Sequence, residues 1–94
     1  KLKEKKSPIL LTTYYNIACL YSLAGDSNKA LDFLNKTIPL YDKGIMQEKG
    51  DALNVHKVET DPDLKSLRKL EPYLKFVEDL KKIEIGFGLK SWQD

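Results

Sequence analysis

The chain has 94 residues, 41% of them apolar and 32% charged, a size for one small domain and a balance that excludes a disordered tail, a collagen-like chain or a disulfide scaffold. Its net charge of +2 comes from one end: four lysines and one glutamate in residues 1–6 supply +3, leaving 12 basic and 13 acidic side chains elsewhere. Of the sixteen basic residues only Arg68 is an arginine, and without bidentate guanidinium groups or a basic body no nucleic-acid partner is expected.

Residues 1–6 read as a solvated leader or the remnant of a preceding unit. The chain begins at Lys1, without methionine or a signal-like apolar stretch, as a piece of a longer protein would. A first helix is expected within residues 7–25, where Ser7 can cap and Pro8 suits the first turn. Leu10, Tyr14, Ile17, Ala18 and Tyr21 fall on one face of that helix as its inner stripe. Cys19 has no second cysteine to pair with, which fits a reducing compartment such as the cytoplasm. Gly25 stops the helix by taking the left-handed conformation.

Asp26 or Ser27 then caps a second helix whose inner stripe is Ala30, Leu31, Leu34 and Ile38. The short turn makes the pair antiparallel. Pro39 ends or kinks this helix, although Tyr41 and Ile45 continue its register toward Gln47. A loop and a short helix over residues 52–57 follow, with the lone His56 on a helix side and no second histidine or cysteine beside it for a zinc set.

Thr60 or Asp61 caps the next helix, with Pro62 in its first turn and Leu64, Leu67 and Leu70 as its apolar edge. Glu71 and Pro72 open a last amphipathic helix with Tyr73, Phe76, Val77, Leu80 and Ile83 inward, and Gly86 and Gly88 break it. Its lysines Lys75, Lys81 and Lys82 are offset by Glu78, Asp79 and Glu84, which favours core packing over a membrane-surface helix. In the tail Trp92 either folds back onto the last helices or contacts a partner.

Tyr14, Ile17, Ala18, Tyr21, Gly25 and Ala30 stand at the spacing of the tetratricopeptide repeat, which residues 11–42 resemble. That family places a proline near Asp42, where this chain has Pro39 instead. Residues 60–68, followed by Pro72 and Tyr73, resemble the degenerate closing unit at the end of such arrays. The resemblance implies an all-α superhelix of four to five helices, divided into a leader (1–6), a helix hairpin (7–42), a loop with a short helix (43–59), a closing helical pair (60–85) and a tail (86–94).

The resemblance also implies a concave groove that binds an extended peptide or partner helix. Carried onto this chain, the groove residues are Thr12, Tyr15, Asn16, Cys19 and Ser22, with Tyr15 and Asn16 offering hydrogen bonds. The alternative for that face is coverage by a neighbouring repeat. Family members that bind chaperones clamp a C-terminal carboxylate with further lysines and an arginine, a set the downstream helix here lacks.

No phosphate loop, nucleophile elbow or calcium loop is present: Gly86-Phe87-Gly88 lacks a third glycine, and Ala30 interrupts the ligand pattern begun at Asp26. Asp61 and Asp63 are explained by capping. The expectation is a non-catalytic protein-interaction module with no cofactor, metal or membrane partner. The alternative is a structural or regulatory cap that packs against upstream repeats of a larger protein.

Overall fold

The computed structural model describes residues 8–50 and 52–93; the basic leader and the cap expected at Ser7 lie outside them. The described residues are all-α, without a strand. Helix α1 (Pro8–Leu23) begins at the proline and carries no charged side chain over its 16 residues. At its end Gly25 has φ +85°, the Gly25 amide donates to the Ser22 carbonyl, and the Asp26 amide donates to that of Tyr21. This is a Schellman closure, which glycine enters without a Cβ clash.

Helix α2 (Ser27–Thr37) starts on Asp26, whose side chain accepts from the Lys29 amide at 3.1 Å; of the two candidate caps, Asp26 is the one used. The helices pack through small and aromatic side chains. Ala18 and Ala30 are fully buried, and the Phe33 ring lies 5.7 Å from Tyr14 and 5.9 Å from Tyr21, centroid to centroid.

Of the two outcomes open at Pro39, the helix takes the stop. Pro39 cannot sustain the α-helical bond to Asn35, so α2 gives way to a 3₁₀ turn (Ile38–Leu40), and the backbone is extended at Tyr41 and Asp42. A new helix, α3 (Lys43–Met46), starts on Asp42, whose side chain accepts from the Ile45 amide at 2.9 Å. Tyr41 and Ile45 still reach the core. Helix α4 (Val55–Thr60) is shifted from the expected 52–57 because Asn54 is its cap, accepting from the Lys57 amide at 2.9 Å. Asn54 also donates to the Met46 carbonyl at 3.1 Å, tying α4 to α3.

The helix expected at Asp61 is a 3₁₀ helix (Pro62–Leu67), capped by Asp61. Leu64 and Leu67 are fully buried, while Leu70 is partly so. Helix α5 (Glu71–Gly86) buries Tyr73, Phe76, Val77 and Leu80 as expected, with Ile83 partly covered. Helix α5 ends at Gly86, its last residue, and Gly88, φ +80°, closes it, with the Leu89 amide donating to the Glu84 carbonyl. Trp92 folds back against the core, with the Lys81 ammonium 5.8 Å from its ring centroid.

Two burial patterns differ from expectation. Helix α1 is covered on two sides, by α2 through Tyr14 and Tyr21 and by the 3₁₀ helix Pro62–Leu67 through Tyr15, Cys19 and Ser22. A helix apolar nearly all round has no single inner stripe for periodicity to find. Leu10, placed on that stripe, is 39% exposed, whereas Leu11 is fully buried. Glu84, counted with Glu78 and Asp79 against the lysines of this helix, is fully buried. Its carboxylate accepts from the Val55 amide at 2.6 Å, the Ser91 amide at 2.7 Å and the Ser91 hydroxyl at 2.8 Å, so α5, the start of α4 and the tail meet on one side chain.

Candidate functional site

The face of α1 opposite α2 is the wall of a cleft of about 540 Å³, closed on its other sides by residues of α3, the connection to α4, α4 itself and the start of the 3₁₀ helix. Four of the five residues expected to bind a partner share this cleft: Thr12, Tyr15, Asn16 and Cys19. Ser22 lies outside it, buried with its hydroxyl 3.0 Å from that of Ser66. Thr12 and Asn16 are exposed on the rim, whereas Tyr15 and Cys19 are buried.

Tyr15 does not offer its hydroxyl to an incoming group. The phenol donates to Asp61 Oδ2 at 2.6 Å, across 46 residues of sequence, and this bond fixes the 3₁₀ helix against α1. Asp61 Oδ1 meanwhile accepts from the Asp63 amide at 3.0 Å, and Lys57 Nζ lies 3.6 Å from Oδ2. Burial by itself disfavours the charge on Asp61; the Tyr15 hydroxyl, the Asp63 amide and Lys57 outweigh it and hold the carboxyl below the usual carboxylate range. The capping expected of Asp61 is present, and the same carboxylate also makes a tertiary bond that spacing alone cannot reveal.

Burial and the hydrogen bond to Asp61 keep the Tyr15 phenol protonated well above its ordinary value. Cys19, whose Sγ is 4.0 Å from Asp61 Oδ2, is pushed up to about 12 by burial and by the charges of Asp61 and Asp63. A thiol held neutral in this way is a poor nucleophile.

Cys19, Asp61 and Asp63 bring ligand atoms within 4.8 Å of one another. The donor set is already engaged, since both oxygens of Asp61 accept hydrogen bonds from Tyr15 and the Asp63 amide. The rest of the site is formed by fixed caps. Arg68, the single arginine, donates to the backbone carbonyls of Asp61 and Val58, and Tyr73 Oη donates to Val58 at 2.8 Å, so the end of α4 is held from two directions.

Glu48 and Lys57, which also line the cleft, carry no signal in the sequence; they reach α1 only because the chain folds back after α3. Comparison with protein families, with curated proteins and with solved structures yields no match.

Proposed function

We propose that the chain is a non-catalytic protein-interaction module, a tetratricopeptide-like hairpin with its closing unit, which holds an extended peptide in the cleft beside α1. The observation that carries this reading is the cleft itself. Its volume of about 540 Å³ lies within the range of ligand sites, and Thr12 and Asn16 stand on its rim with side chains suited to a peptide backbone. The buried Tyr15–Asp61 bond makes the wall rigid, so little ordering is needed on binding.

A second reading, a cap that packs against further repeats, is favoured by one observation. Helix α1 has no charged residue, yet Ile9 is 78%, Leu20 66% and Leu23 63% exposed, and an apolar helix of this kind ordinarily has both faces covered. The two readings separate in one experiment, titration of the isotopically labelled chain with short peptides while amide shifts are followed. Binding in the cleft moves Thr12, Asn16 and Asp63 and leaves Ile9, Leu20 and Leu23 in place. Shifts confined to the latter three favour the cap, and silence throughout a broad peptide set rejects the peptide reading.

A further inference from the structure

The charges around the cleft narrow the class of peptide, an inference that rests on the peptide-binding reading. Among the described residues, the lining contains three carboxylates, Glu48, Asp61 and Asp63, and one ammonium, Lys57. Lys57 is spent on Asp61, 3.6 Å away, and Asp61 is further compensated by the Tyr15 hydroxyl and the Asp63 amide. Glu48 and the half-buried Asp63 enter none of the ion pairs found among the described residues. Among the described residues, the cleft therefore presents two carboxylates outside any ion pair, above a floor formed in part by Tyr15 and Cys19, both neutral.

We infer that the cleft receives a lysine or arginine side chain of the partner peptide, with Asp63 and Glu48 as its counter-charges and Asn16 and Thr12 on the adjoining backbone. A peptide carboxylate entering the same space meets Glu48 and Asp63 with like charge, and Lys57, already held by Asp61, is poorly placed to offset them. The elevated Cys19 thiol agrees with this sign of potential, since the charges of Asp61 and Asp63 are among the causes of its shift.

The test uses the full chain and four pools of short peptides with blocked ends, alike except for a fixed central Lys, Arg, Glu or Leu. The Lys and Arg pools are expected to shift the Thr12, Asn16 and Asp63 amides and to bind about tenfold or more tighter than the Glu pool, with the gap narrowing as salt is added. The Asp63→Asn and Glu48→Gln variants should bring the Lys pool to within about twofold of the Leu pool. Both variants are expected to fold, because the Asp63 side chain takes no part in the cap and Glu48 is exposed; unchanged thermal melts check this. Equal binding of all four pools at the cleft, or preference for Glu, overturns the charge inference and leaves the peptide reading intact. Absence of cleft shifts with every pool overturns both.

Discussion

Asp61 accepts the Tyr15 hydroxyl on one oxygen and the Asp63 amide on the other, so one side chain starts a 3₁₀ helix and anchors it to α1. Truncating the phenol in Tyr15→Phe should destabilise the chain by about 1.5–3 kcal/mol near neutral pH, the range for a buried bond to a charged acceptor. The sign of the pH dependence follows from the lowered folded-state value of Asp61. Its contribution is present above the ordinary value of 3.8 and is lost as pH falls through the folded value. Urea unfolding at a series of pH values should therefore show the wild type and Tyr15→Phe converging below the ordinary carboxylate value, and a gap that stays constant into acid would contradict the assignment. Asp61 as a cap was legible from the sequence, since Asp-Pro-Asp is a local helix-start signal. Its bond to Tyr15 was not, because nothing local encodes a contact across 46 residues.

At the scale of elements, the hairpin α1–α2 rests on two small-residue features that the sequence displays openly. Gly25 sits at φ +85° with nothing within 4 Å of an added Cβ, so Gly25→Val is opposed by backbone strain alone, at about 1–3 kcal/mol. Ala18 is fully buried against α2, and Ala18→Leu should cost about 1–3 kcal/mol through overpacking. Thermal or urea melts check both, and neutral results for the pair would remove this account of the hairpin. Elements with strong punctuation were read nearly to the residue: Pro8 opens α1, Asp26 caps α2, and Tyr73, Phe76, Val77 and Leu80 face the core from α5. After Thr37 the sequence leaves a stop or a kink open, because Tyr41 and Ile45 keep a helical spacing; the structure takes the stop, with Tyr41 in an extended segment and Ile45 in a separate helix. Apolar spacing reports which side chains are buried, and two different backbone paths can bury the same ones.

Across the molecule, the C-terminal elements are knitted by Glu84, which joins α5 to the first amide of α4 and to Ser91 of the tail. Glu84→Gln replaces an acceptor oxygen with an amide donor facing groups that already donate. The expected cost is about 1–3 kcal/mol, with faster hydrogen exchange at Val55 and Ser91 than elsewhere; unchanged protection at both would show that the tail is held by Trp92 alone. The sequence by itself determined the all-α class, the Gly25 stop, the caps at Asp26 and Asp61 and the inner face of α5, because propensity, capping and periodicity act over a few residues. The tertiary structure decided which side of α1 is covered, where Glu84 lies and that Glu48 and Lys57 share a cleft with Thr12 and Asn16. Those outcomes depend on how the segment after Pro39 folds back over α1, and α1, being apolar nearly all round, gives no local preference for one side over the other.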